Sequence, residues 1–95
     1  MIIEDNVLIA NRVYISDADH IFKNVEVPIL TQGDYFKGEV LLKTGCWVGI
    51  GAVIMPGVTI GRNSIVGANS VVTKNVADYT VGAGCPAKVI RVLSI

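Results

Sequence analysis

Two cysteines are too few for a disulfide framework, which points to a reducing, cytoplasmic setting. Eight basic residues cancel eight acidic ones, so the chain offers no electrostatic footprint for nucleic acid or for an anionic membrane surface. No apolar run approaches the ~18 residues of a membrane span. The start, Met1-Ile2-Ile3-Glu4-Asp5, lacks the basic end and apolar stretch of a signal peptide. One histidine, His20, leaves no His-x-x-x-His spacing, and Cys-x-x-Cys and phosphate-loop motifs are missing too, so no metal is expected. Prolines number only three against ten glycines, which does not compose a disordered chain. What remains is a 95-residue sequence, 52% hydrophobic, that fits one domain over 1–95 with enough apolar content for a core.

That apolar content recurs at intervals of six. Stepping from Phe36 meets Leu42, Val48, Ile54, Ile60, Val66 and Val72, all apolar. A run of seven at this composition arises by chance in about one per cent of cases for a chosen phase. A second row, four residues later each time, is small or β-branched: Val40, Cys46, Ala52, Val58, Ser64, Ser70 and Val76. Glycine directly follows the aliphatic at 49, 61 and 67. A helix needs a period near 3.6 and a plain strand a period of 2. Six fits a coil of triangular cross-section, with large aliphatics inside and glycines at corners that require positive φ or close backbone approach. A β-sandwich is the alternative, but its turns rarely recur at a fixed six-residue interval.

The period also runs through Ile3, Ile9 and Ile15, with Val7 and Val13 in the second row. It then breaks, because Ile15 and Leu42 stand 27 residues apart. An excursion near residues 16–35 is expected, carrying Asp17, Asp19, His20, Pro28, Gln32 and Gly33. A long loop within a compact repeat is usually functional or disordered, and one that interrupts a regular coil reads as functional. Three hexads before the loop and seven from Phe36 onward make about three coils. So short a solenoid has open ends that invite association, as a short natural form or as the C-terminal part of a longer enzyme.

The stretch from Gly45 through Trp47-Val48-Gly49-Ile50-Gly51-Ala52 and Met55-Pro56-Gly57-Val58-Thr59-Ile60-Gly61 resembles the signature of hexapeptide-repeat acyltransferases. So do Ser64-Ile65-Val66-Gly67-Ala68-Asn69-Ser70-Val71-Val72-Thr73-Lys74 and the ending Gly82-Ala83-Gly84-Cys85-Pro86-Ala87-Lys88-Val89-Ile90-Arg91. The likeness runs from about Asn6 to Arg91 and is similar to the sugar O-acetyltransferases, among them galactoside, maltose and polysaccharide-modifying enzymes. It implies an all-β, left-handed parallel β-helix. It also implies acetyl-CoA as acyl donor, a sugar or polysaccharide-precursor hydroxyl as acceptor, and a homotrimer with active sites between subunits. Polysaccharide-modifying relatives often read Asp-His-Asn-His where this chain reads Asp17-Ala18-Asp19-His20. That departure keeps a second reading in view, a catalytically impaired trimeric scaffold. A γ-type carbonic anhydrase, which shares the coil, needs three histidines per zinc and is disfavoured by the single His20.

His20 is the candidate general base: a neutral imidazole accepts the acceptor's hydroxyl proton and returns it to the leaving thiolate. Asp17 and Asp19 are candidates for orienting the ring, with solvated loop acids as the plainer reading. The oxyanion of the tetrahedral intermediate needs a backbone N–H. By resemblance that donor is Ile50, in the turn Gly49-Ile50-Gly51. Trp47, next to inward Cys46, is expected to face outward and to cover a cleft or a subunit interface. Lys74, Lys88 and Arg91 are candidates for the phosphates of coenzyme A, together with Thr73. Gly67 and Ala68 would let the pantetheine arm lie against backbone. Cys46 and Cys85 lack a second histidine to activate them and are not expected to be nucleophiles.

Overall fold

The computed structural model describes residues 1–94. Three two-residue strands form a first coil: β1 (Ile2–Ile3), β2 (Leu8–Ile9) and β3 (Tyr14–Ile15). A hairpin then leaves the coil through β4 (Ala18–His20), a 3-10 turn at Ile29–Thr31 and β5 (Asp34–Phe36). The second coil is β6 (Leu41–Leu42), β7 (Trp47–Val48) and β8 (Val53–Ile54). The third is β9 (Thr59–Ile60), β10 (Ile65–Val66) and β11 (Val71–Val72). A partial fourth ends in β12 (Thr80–Gly84), on which β13 (Ala87–Val92) folds back antiparallel.

Each coil face is a parallel sheet, one of them extended by the antiparallel β13. Their strand orders are β1-β6-β9, β2-β7-β10-β12-β13 and β3-β8-β11. Partners in the second and third coils stand 18 residues apart, as in Trp47↔Ile65 and Val53↔Val71, which is three hexads per turn. The fold is the left-handed parallel β-helix the sequence implied.

Side chains of successive residues on a strand point to opposite sides, so each two-residue strand turns one residue in and one out. The inward set is Leu42, Val48, Ile54, Ile60, Val66 and Val72, all buried, with Val40, Cys46, Ala52 and Val58 beside them. Burying each of the larger aliphatics contributes roughly 1.5–3 kcal/mol. The three buried polar residues are satisfied. The Ser64 hydroxyl donates to the Gly61 carbonyl, the Ser70 hydroxyl accepts from Gly84 N–H at 3.1 Å, and Thr80 Oγ1 donates to Asp78 O at 3.0 Å.

The expected excursion is present as an ordered hairpin with register Ala18↔Phe36 to His20↔Asp34, and it closes at Lys37, whose N–H donates to Asp17 O at 2.8 Å. Two expectations are corrected. Phe36 is not the first interior aliphatic: it lies on β5 of the hairpin and is exposed, so the buried row begins at Leu42. Val76 takes the large-aliphatic place rather than the small one, because it bridges Ile60 at a separation of 16, not 18. The corner at Thr73-Lys74-Asn75 is two residues short, and the Asn75 side chain accepts from Thr59 N–H at 2.8 Å.

The corners divide two demands that the sequence pattern had merged. Gly61 does not have positive φ; a Cβ there would stand 2.5 Å from the backbone of Ala77 and Asp78, so it answers to close approach. Positive φ falls instead on stacked corner residues. One stack runs Asn6, Gly45, Asn63 and Tyr79, and another Arg12, Gly51 and Asn69. Asparagine and glycine adopt this conformation readily, whereas for other residues it costs roughly 1–2 kcal/mol. Tyr79, at φ 55°, is therefore out of character for its position.

Candidate functional site

Among the described residues, three hollows hold several of the side chains singled out in the sequence. His20 ends β4, is exposed, and lines a concavity of about 490 Å³ with Ile21, Phe22, Lys23 and Tyr35. The walls are mainly apolar side chains, and their position follows from the hairpin register, which sets His20 opposite Asp34 and Asp19 opposite Tyr35.

Neither nearby aspartate is bonded to the imidazole. Asp19 Oδ1 accepts from the backbone N–H of His20 at 2.8 Å and Oδ2 pairs with Lys37 Nζ at 3.2 Å. These two contacts, the amide first, hold its carboxyl below the usual range. Asp17 faces the coil. Its carboxylate binds the Met1 amino group and accepts from Val40 N–H at 2.9 Å, and both contacts lower its pKa. Asp17 thus ties the base of the hairpin to the second coil, and Asp19 braces β4 against the start of the next segment.

The second hollow, about 380 Å³, lies where the short corner after β11 meets the β12–β13 hairpin. Thr73, Lys74 and Lys88 converge on it, joined by Asn75 and Pro86. Among the described residues neither lysine takes part in an ion pair, and no acidic side chain lines the cavity. Arg91 sits further along β13, exposed and opposite Val81, and does not line this cavity. Ile50, Gly67 and Ala68 belong to a corner of the second and third coils. There Asn69 N–H donates to Ile50 O at 2.8 Å, and the Ile50 N–H makes no hydrogen bond among the described residues. A Cβ on neighbouring Gly49 would stand 2.7 Å from the Val66 carbonyl, so the two coils are in close contact at this corner.

Trp47 faces outward from β7, as its place beside Cys46 requires, and is 46% exposed. It does not join the lysines. It lines a third hollow of about 540 Å³ with Ile65, Tyr79 and Leu93. Burial raises the Cys46 thiol pKa, so this cysteine is core, not nucleophile. No group of three His, Cys, Asp or Glu side chains gathers among the described residues. No helix among them is long and apolar enough to cross a membrane.

Sequence reading missed Phe22, Tyr35, Asn75 and Tyr79. The first two sit on an excursion with no period to follow. Asn75 and Tyr79 lie in or beyond the shortened corner, where stepping by six loses the register.

The profile of the bacterial transferase hexapeptide (six repeats) matches residues 40–74. Over residues 40–74 the coil is similar to the hexapeptide repeats of bacterial transferases. Galactoside O-acetyltransferase of Escherichia coli K12 is 42% identical over 89 residues, covering 94% of this chain and 42% of that protein. The structure of a maltose O-acetyltransferase from Clostridium difficile 630 matches 98% of this chain and 49% of its own, with TM-score 0.82 and 37% identity. A galactoside acetyltransferase in complex with coenzyme A matches 97% of this chain and 48% of its own, with TM-score 0.72 and 34% identity. The chain spans less than half the length of these curated relatives.

Proposed function

We propose that this chain transfers an acetyl group from acetyl-CoA to a hydroxyl of a sugar or polysaccharide precursor. The observation that carries the proposal is the separation of two kinds of chemistry on one coil. A sole histidine stands in an apolar-walled hollow on a protruding hairpin, while two lysines with no ion-pair partner among the described residues line another hollow at the far coil. Relatives and structural neighbours named as sugar acetyltransferases, one of them in complex with coenzyme A, support the same reading.

In this reading Lys74 and Lys88 receive the phosphates of coenzyme A by charge, with Thr73 beside them and Arg91 further along β13. The pantetheine arm runs along the corner at Gly67 and Ala68, whose own side chains are small. His20 takes the proton of the acceptor hydroxyl as that oxygen attacks the thioester carbonyl. The free N–H of Ile50 stabilises the oxyanion, and the imidazolium then protonates the departing thiolate.

The hollow of His20 and that of the lysines share no lining residue. In this reading the reactive centre lies between copies, with the hairpin of one subunit reaching the coil of the next. A homotrimer meets that geometry with three equivalent sites. Exposed apolar residues on the hairpin, Phe22, Val25, Leu30 and Phe36 among them, fit a segment that packs on a neighbour. The two free cysteines suit the cytoplasm as its location.

The test is thiol release from acetyl-CoA with a panel of sugars. Turnover that vanishes in His20→Ala while coenzyme A still binds supports the proposal. Turnover undiminished in His20→Ala, or none in the unaltered protein, refutes it.

A further inference from the structure

Proton transfer at His20 needs a base and an acceptor hydroxyl, and it leaves one charged side chain of the same hollow without a task. Lys23 lines that hollow together with His20, Ile21, Phe22 and Tyr35. Among the described residues its ammonium takes part in no ion pair, and no acidic side chain lines the space. The acids of the hairpin lie elsewhere. Asp19 pairs with Lys37 at 3.2 Å, and Asp17 accepts from Val40 N–H at 2.9 Å. Asp34 stands opposite His20 in register, yet neither it nor Glu26 borders the hollow.

The backbone on either side of Lys23 is fixed. Ile21 N–H donates to Gly33 O at 2.9 Å. Asn24 N–H donates to Gln32 Oε1 at 3.2 Å, and Gln32 Nε2 donates back to Asn24 O at 2.9 Å. The chain from His20 to Asn24 is thereby held against its partner strand, and imidazole and ammonium open on one space. Its walls of Ile21, Phe22 and Tyr35 displace part of the water, so a charge interaction there is stronger than in bulk solvent. A ligand that fills the space displaces more water, and the ammonium is then best satisfied by an anion on that ligand.

We infer that Lys23 selects an acceptor that carries an anionic group, a carboxylate or a phosphate, beside the hydroxyl that His20 deprotonates. The role of that hydroxyl rests on the acetyl-transfer reading, but the charge preference is a property of binding and is read without donor or turnover. The ammonium touches no reacting atom, so it acts on ground and transition states alike and sets affinity, not rate.

The 95-residue protein is titrated at fixed pH and ionic strength, without acetyl-CoA, with galactose, galacturonate and galactose 6-phosphate. These sugars differ in charge at a single carbon, and acetate serves as the bare anion. His20 is the sole histidine, so its imidazole proton resonances report on the hollow without ambiguity. The expected result is a saturable shift, with at least one of the two anionic sugars binding about tenfold more tightly than galactose. The tighter of the two names the anion. Lys23→Arg keeps the preference, Lys23→Gln brings the ratio close to one, and Lys23→Glu reverses it. The inference is overturned by equal affinity for all three sugars, by no saturable response to any of them, by acetate binding as tightly as the anionic sugars, or by a preference that survives Lys23→Gln. Thiol release with the same acceptors separates the two claims: a charge preference in binding with no turnover on any acceptor refutes acetyl transfer and still supports selection by Lys23.

Discussion

Val53 and Ile54 are chain neighbours on β8, and the coil assigns them opposite fates: Ile54 is fully buried between Ile15 and Val72, while Val53 points outward. Ile54→Ala removes three buried carbons at about 0.8 kcal/mol each and leaves a cavity in a rung with coils on both sides, for a total of about 3–4 kcal/mol. Val53→Ala removes two partly exposed carbons and should cost less than about 1 kcal/mol. The assay is urea unfolding at one fixed protein concentration, because any association of copies makes the midpoint concentration-dependent. With a slope of about 1.5 kcal/mol/M, the midpoint falls by about 2–2.7 M in Ile54→Ala and by less than about 0.7 M in Val53→Ala. Equal shifts, or a larger one for Val53→Ala, would refute the assignment of inward and outward positions on which the coil rests.

Other outcomes follow from the same geometry. Gly61→Ala places a methyl group 2.5 Å from the backbone of Ala77 and Asp78, so it should destabilise by about 2 kcal/mol or more in the same unfolding assay. Lys74→Ala combined with Lys88→Ala should weaken coenzyme A binding at least about tenfold by calorimetry, with a shallower salt dependence than the parent. The His20 amide and Lys37 hold the Asp19 carboxyl below the usual carboxylate range, so its ionised form is favoured in the folded hairpin. That contribution is present above the unfolded pKa and lost as pH falls through the folded one. Amide exchange in 18–37 should therefore accelerate on acidification below about pH 4, and Asp19→Asn should lose that pH dependence.

Most of the coil was legible because its core is a spacing rule. The row from Leu42 to Val72 is inward in every rung, and the small row from Val40 to Ser70 stands beside it. Legibility failed where the rule is suspended. Phe36 stepped correctly by six yet belongs to β5, since an apolar residue at the right interval carries no mark of the strand that holds it. The corner at Thr73-Lys74-Asn75 is two residues short, which moved Val76 into another role and hid Tyr79 at the end of the Asn63 stack. Among site residues, the outward turn of Trp47 and the meeting of Lys74 with Lys88 were readable from alternation and from the resemblance. The exposure of His20 was readable from its place on an excursion. The commitment of Asp17 to Val40 was not, because it depends on a contact across 23 residues that no local pattern encodes.

The central claim is that histidine and lysines act from different copies of the chain, and subunit mixing tests it most directly. His20→Ala and the Lys74→Ala/Lys88→Ala variant are each assayed alone for thiol release, then dissociated together, reassembled in equal amounts and assayed again. Each alone should be inactive, and random reassembly should restore about a quarter of the parental rate, since one interface in four then joins an intact histidine to intact lysines. No recovery from a properly reassembled mixture would contradict the account, because it would place both groups in the site of a single subunit.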